Sequence, residues 1–364
     1  MNAEDRRSRV AQWLRPALLA QHAYPVTPAE GLIKLDAMEN PYPWPAALID
    51  EWLQCLRQVP VNRYPDAACA AVKNALRAAW NVPHELSMIL GNGSDELIQL
   101  LAIAFSGAQR TMLAPDPSFV LYRMAAEALD MHYVSVPLAD DFALDVEAML
   151  AAIERRKPAL VFVAYPNNPT GNLFDEADIR EIVQAAPGLV VLDEAYYPFA
   201  GKSFLEEIDN YPNLVVLRTL SKMGFAGLRL GVLLAHPEWG SEFEKLRLPY
   251  NISSLTQTTV EFALRHLRVF DEQAAAIRDA REQLRAALGE LPGLQVYASA
   301  ANFLLVRTPP ALGDLHAGLR EQGVLVKNLH GMYRTTPNCL RISVGTADEN
   351  AALVTAIHNL LSAA

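Results

Sequence analysis

The sequence predicts an α/β protein in which a large domain, a mostly parallel seven-stranded sheet between helices, is followed by a smaller α+β domain. Three observations predict it. Seven short apolar runs rich in β-branched residues recur between positions 87 and 234. Helical patterns fill several of the gaps between them. After residue 249 the strands thin out and a long helical pattern takes over. Apolar runs without polar alternation belong to strands covered on both faces, as parallel sheets are.

In chain order, residues 1–35 read as an N-terminal arm. Arg6, Arg7, Arg9 and Arg15 lie there with no apolar run after them, so the segment is a polar arm or helix rather than a signal peptide. An extended stretch over 35–45 holds Pro41, Pro43 and Pro45, with Pro28 ahead of it, and these block regular helix. Helical patterns follow at 46–58 and 66–80, the second opening at Asp66 as N-cap. The runs at 87–90, 111–114, 132–136, 159–164, 189–192, 214–217 and 230–234 read as strands, with helices at 95–105, 118–129, 145–155 and 175–185. Beyond 249, a helical region over 255–288 leads to strands at 294–297, 303–306, 324–326 and 340–344, with helices at 312–321 and 348–361. The expected division is arm 1–35, large domain 36–250 and small domain 251–364, with a cleft between the domains.

Composition narrows the classes of function. The 364 residues carry 31 Lys plus Arg against 41 Asp plus Glu, a net charge of −10. That balance argues against a nucleic-acid coat, while a local cationic pocket stays open. Hydrophobic residues at 51% and charged residues at 20% describe an ordinary globular chain. No stretch approaches the ~18 apolar residues a membrane helix needs. Cys55, Cys69 and Cys339 form no C-x-x-C pair, and the eight histidines show no H-x-x-x-H spacing. A soluble, cytoplasmic chain without a metal site is the expectation.

In open parallel sheets ligands bind at the carboxyl ends of the strands, so the loops there hold the candidates. Thr219-Leu220-Ser221-Lys222 follows one strand. A desolvated lysine there suits a Schiff base, with a solvated surface lysine as the competing reading. Arg229, in Gly227-Leu228-Arg229-Leu230-Gly231, is placed to fork onto a phosphate or to form a structural ion pair. Asp193 ends another run, with Tyr196 three residues on. The acid is positioned to hold a pyridine nitrogen protonated and the tyrosine to donate to a phenolate oxygen, or else to cap a turn and to pack. Tyr165-Pro166-Asn167-Asn168-Pro169-Thr170-Gly171 is a fixed turn offering the Asn168 amide, with a cis peptide before Pro169 in prospect. Gly91-Asn92-Gly93-Ser94-Asp95-Glu96 feeds a helix N-terminus, which favours an anion, though Ser94 or Asp95 also reads as a plain N-cap. Phe119 suits stacking on a flat heteroaromatic ring as well as core packing.

Taken together, Asn168, Asp193, Tyr196, Lys222 and Arg229 occur in the order and contexts of the pyridoxal-phosphate aminotransferases of fold type I, which are aspartate-aminotransferase-like. The strings Asn40-Pro41-Tyr42, Arg63-Tyr64-Pro65, Gly91 to Glu96, Pro166 to Gly171 and Leu340-Arg341-Ile342-Ser343-Val344-Gly345 narrow the likeness. Over about residues 24–360 the chain resembles the histidinol-phosphate aminotransferases.

The resemblance implies that Lys222 carries pyridoxal 5′-phosphate covalently, Asp193 pairs with the pyridine nitrogen, and Asn168 and Tyr196 bond the ring's 3-oxygen. It places Phe119 against the ring, where relatives often have tyrosine. The phosphate falls on the amides of Ser94 and Asp95, with Thr219, Ser221 and Arg229 around it. Tyr64 reaches that phosphate from the neighbouring subunit, which implies a homodimer with shared active sites. Arg341 grips the substrate's anionic end, Tyr24 closes over it from the arm, and Lys327 stands where many relatives carry arginine. The implied reaction is ping-pong amino transfer between histidinol phosphate and 2-oxoglutarate, giving imidazole-acetol phosphate and glutamate in histidine biosynthesis. Rival readings are an aromatic-amino-acid aminotransferase and a threonine-phosphate decarboxylase. A non-enzymatic protein of the same fold would lack Lys222 or Asp193, and a nucleotide-binding α/β protein would need a phosphate loop that is absent.

Overall fold

The computed structural model describes residues 3–23, 25–309 and 315–363. Its strands are β1 (Ile33–Leu35), β2 (Ser87–Asn92), β3 (Thr111–Asp116), β4 (His132–Pro137), β5 (Leu160–Ala164), β6 (Leu189–Asp193), β7 (Leu214–Thr219) and β8 (Leu230–Ala235), then β9 (Gln295–Val296), β10 (Phe303–Arg307), β11 (Val324–Asn328) and β12 (Cys339–Ser343). Seven of them form one sheet in the order β2-β8-β7-β6-β5-β3-β4. The β3, β4, β5, β6 and β7 pairings are parallel, and β8 runs antiparallel to both of its neighbours.

The burial explains the pattern. Every residue of β5, β6, β7 and β8 is buried. Successive side chains point to opposite faces. Val161 and Val163 therefore enter one core with Val190, Leu192 and Val216, while Leu160 and Phe162 enter the other with Leu189, Val191 and Val215. Each such side chain contributes about 1.5–3 kcal/mol of burial. Crossover helices supply the covers. In Glu176–Ala185 the apolar residues Ile179, Ile182 and Val183 share one face, and the Asp175 carboxylate accepts the Ala177 N–H at 2.7 Å to start the helix. Val146–Arg156 is built likewise, with Asp145 accepting from Ala148 and Lys157 ending it in the left-handed region.

The second sheet runs β1-β11-β12-β10-β9. Strand β1 pairs parallel with β11 although it precedes the large sheet in the chain, and it lies beside the stretch read as merely extended. Helices Leu315–Glu321 and Ala347–Ala363 accompany that sheet. Two expectations change. The helix expected from Asp66 begins at Ala70, because Cys69 takes φ +49. Asp66 instead closes the preceding turn, accepting from the Ala68 and Ala70 amides. The helical region over 255–288 is two helices, Ser254–Arg265 and Leu267–Gly289, divided at His266 (φ −111°, ψ 26°). The 237–244 helix was not expected; its Gly240 packs against Ser87. No helix among the described residues is long and apolar enough to cross a membrane.

One ion pair braces the two central strands where they end. Arg218 of β7 reaches Glu194, just past β6, at 2.9 Å, with side-chain exposures of 2% and 0%. Its guanidinium also bonds the Ser203 hydroxyl and lies 3.7 Å from the Tyr197 ring centroid. Removing one partner of a buried pair strands the other charge away from water. Glu194→Ala is therefore expected to cost about 3–5 kcal/mol, read as a lower urea midpoint.

Candidate active site

The carboxyl ends of β3, β5, β6 and β7 open on a cavity of about 500 Å³. Each strand delivers its residues through the loop that follows it. After β5, Ala164 runs into the turn at 165–171, where Tyr165-Pro166 and Asn168-Pro169 are both cis. That turn presents Asn168. Strand β6 ends on Asp193, opposite Ala164 in the ladder, and Tyr196 follows in the next turn. Strand β7 ends on Thr219, and the short 3₁₀ turn Ser221–Met223 carries Lys222.

Lys222 Nζ donates to the Ala37 carbonyl at 3.1 Å and lies 5.8 Å from the Tyr196 ring centroid. Burial, and then the Arg341 guanidinium, bring its amine down to about 8. Asp193 is buried. Its Oδ2 accepts the Tyr122 hydroxyl at 2.6 Å and its Oδ1 the Ala195 amide at 3.1 Å. Burial dominates over those two bonds and lifts the carboxyl to about 6. The Asn168 amide donates to the Tyr196 hydroxyl at 3.2 Å, and its carbonyl oxygen accepts from Arg341 at 2.6 Å. Arg341, buried on β12, also donates to the Asp36 carbonyl at 2.8 Å, and its Nε has no partner among the described residues.

At the other end of the cavity the helix Ser94–Ala104 begins. Gly93 takes φ +89 there, and a Cβ on it would strike the Arg229 guanidinium. Gly231, opposite Gly91 in the ladder, lies so close that a Cβ would meet the Gly93 carbonyl carbon and the Ser94 nitrogen. These glycines bring three pieces of backbone together at a helix N-terminus, a cradle suited to an anion. Arg229 stands beside it, paired with Asp95 at 3.0 Å. Thr219 donates to Ser221 at 2.9 Å on the adjoining wall. Phe119 caps the approach to the helix Val120–Ala128, its ring edge-on to Tyr122.

Of the residues singled out from sequence, Ser94, Asp95, Phe119, Asn168, Asp193, Tyr196, Thr219, Ser221, Lys222, Arg229, Lys327 and Arg341 line this one cavity. A chamber of about 150 Å³ adjoins it, sharing Phe119, Asn168, Lys327 and Arg341. Burial, with repulsion from Arg341, lowers the Lys327 ammonium. Tyr64 does not line the cavity; it is 80% exposed and stacks on Tyr250 at 4.5 Å. Tyr24 lies outside the described residues. Sequence reasoning missed Tyr122, Lys34, Asp36 and Glu39, which also line the cavity. Tyr122 had a signal: it falls one helical turn after Phe119, on the same face.

A softened lysine amine and a buried acid at the ends of adjacent parallel strands, beside an anion cradle, define an enzyme of the fold type I aminotransferase class. The sequence profile described as "Aminotransferase class I and II" matches residues 30–357, and the chain belongs to that family. A Nitrosococcus oceani protein named histidinol-phosphate aminotransferase 2 is 53% identical over 352 residues, covering 96% of this chain and 98% of that one. The Chromobacterium violaceum histidinol-phosphate aminotransferase is 51% identical over 348 residues, with coverage of 96% and 98%. Among solved structures, the Sinorhizobium meliloti histidinol-phosphate aminotransferase in complex with pyridoxal-5′-phosphate superposes with a TM-score of 0.85 at 23% identity. It covers 96% of this chain and 98% of that one, and it establishes the fold.

The Lys222 amine should therefore be acylated with a midpoint near pH 8, followed by mass spectrometry of its peptide. Removing the positive neighbour by Arg341→Met should move that midpoint upward, because the ammonium form loses a repulsion.

Proposed function

We propose that this aminotransferase uses pyridoxal 5′-phosphate to move an amino group reversibly between L-histidinol phosphate and 2-oxoglutarate, yielding imidazole-acetol phosphate and L-glutamate, a step of histidine biosynthesis. One observation carries the reading: the Lys222 amine, the Asp193 carboxylate and the Arg341 guanidinium converge on a single cavity. The names of the relatives near half identity support the substrate, ahead of aromatic amino acids or threonine phosphate.

The donor set suits the cofactor. The glycine-lined cradle with the Ser94 and Asp95 amides, Thr219, Ser221 and Arg229 would hold its phosphate. Asp193 would hold the ring nitrogen's proton, Asn168 and Tyr196 would bond the ring's 3-oxygen, and Phe119 would cover its face. When bound, the cofactor supplies an electrophilic carbon for amine exchange and a ring that accepts the electron pair released at the substrate's α-carbon. Lys222 would hold the cofactor through its Nζ. Its free amine, already softened by burial, would serve as the base for the substrate's α-proton. Arg341 and Lys327, which line both chambers, bind the far anionic group that the two substrates share. Lysine at 327 offers a point charge instead of a planar fork.

The chain works in the cytoplasm as a homodimer with shared sites, Tyr64 of the partner subunit completing the phosphate cup. The exposed stack of Tyr64 on Tyr250 supports that pairing. Arm 1–35, large domain 36–250 and small domain 251–364 remain the proposed division.

The test is amino transfer from glutamate to imidazole-acetol phosphate. Transfer to an aromatic oxo acid with none to imidazole-acetol phosphate would reassign the substrate. Borohydride reduction of the loaded enzyme should fix the cofactor to the peptide bearing Lys222. Tyr64→Phe should weaken cofactor retention by about tenfold, measured by dialysis, and a fully active monomer would contradict the shared site.

A further inference from the structure

We propose that Tyr122 is a positioning residue for this site: its hydroxyl holds the Asp193 carboxylate as an oriented anion, so that the proton shared with the cofactor's ring nitrogen rests on the ring. The proposal deepens the reading of the cavity as a pyridoxal-phosphate site and rests on it.

Tyr122 is fully buried, and a buried phenol needs an acceptor. Its acceptor is Asp193 Oδ2, at 2.6 Å. The ring cannot wander, since it stacks on Phe162 at 4.4 Å and 18° and meets Phe119 edge-on at 5.7 Å. Helix Val120–Ala128 sets it one turn beyond Phe119, so the same short helix supplies both the covering ring and the donor to the acid. The other Asp193 oxygen takes the Ala195 amide, which fixes the carboxylate plane from a second direction.

The electrostatic surroundings give this single bond its weight. No Lys or Arg among the described residues is paired with Asp193. Asp95 and Glu194, both acids, raise its carboxyl along with burial, and Tyr122 is the largest influence in the opposite sense. Tyr196 and Tyr133 are the other titratable groups acting on Tyr122, whose own proton is held far above the usual phenol range by burial and by Asp193. Lys222 and Arg229 face the same cavity. A carboxylate robbed of its donor binds a proton more tightly and competes better with the ring nitrogen for it. The phenol therefore biases that proton toward the ring.

Tyr122→Phe removes one oxygen and leaves the ring packing. Apo-protein of the wild type and of this variant would be titrated with pyridoxal 5′-phosphate by visible absorption, from mildly acidic to mildly alkaline pH. The expected loss of affinity at neutral pH is about tenfold, in keeping with one charge-assisted hydrogen bond. In the wild type, beyond any change set by Lys222 near pH 8, affinity should fall as pH drops through about 6, where Asp193 takes up a proton; in Tyr122→Phe that lower fall should begin at higher pH. A merely loosened fold would weaken binding by the same factor at every pH, and that result would overturn the proposal. So would unchanged affinity and pH dependence. In an Asp193→Asn background, Tyr122→Phe should add nothing; a full additional loss would mean that the phenol acts by another route. Failure of the wild type itself to take up the cofactor would instead remove the reading beneath the proposal.

Discussion

A buried carboxylate with no ion-pair partner among the described residues is the constraint around which this molecule is arranged. Asp193 ends a strand buried on both faces, where an ionised acid loses its water and receives two hydrogen bonds in return. Those bonds do not restore its ordinary acidity, so its ionised form carries an electrostatic cost at neutral pH. A positively charged ring placed against it would relieve that cost. Burial likewise holds the Lys222 amine below its usual range, just past the end of the neighbouring strand β7.

The rest of the large sheet serves this arrangement by rigidity. The parallel strands are in register, so Ala164, Asp193 and Leu217 fall in one row of the ladder, with β7 running on to Thr219. Arg218 and Glu194 tie that row from the side away from solvent, each adjacent in sequence to a cavity residue. A charge pair this deep gains little net stability against an apolar alternative. What it fixes is the spacing between the acid and the cup where β7 ends.

Much of this was legible in the sequence because strands buried on both faces leave uninterrupted apolar runs, and a parallel sheet then directs attention to the loops after them. Lys222, Asp193 and Asn168 were found that way. Strand β1 escaped because three residues carry no periodicity, and its partner β11 lies almost three hundred positions on. The break at His266 escaped because the apolar spacing runs through it. Asp66 was recognised as a capping residue but capped a turn, since Cys69 intervenes in the left-handed region. Tyr122 escaped for a different reason: its meaning lies in a bond to a residue 71 positions away, and a tyrosine inside an amphipathic helix reads as core.

The short segment after β1 lines the cavity, with the Asp36 carbonyl accepting from Arg341 and the Ala37 carbonyl from Lys222. Arg341 belongs to the smaller sheet, yet it also grips Asn168 of the larger one. One guanidinium thereby ties the smaller sheet to the turn after β5 and to the backbone after β1, beside the carbonyl that receives the lysine.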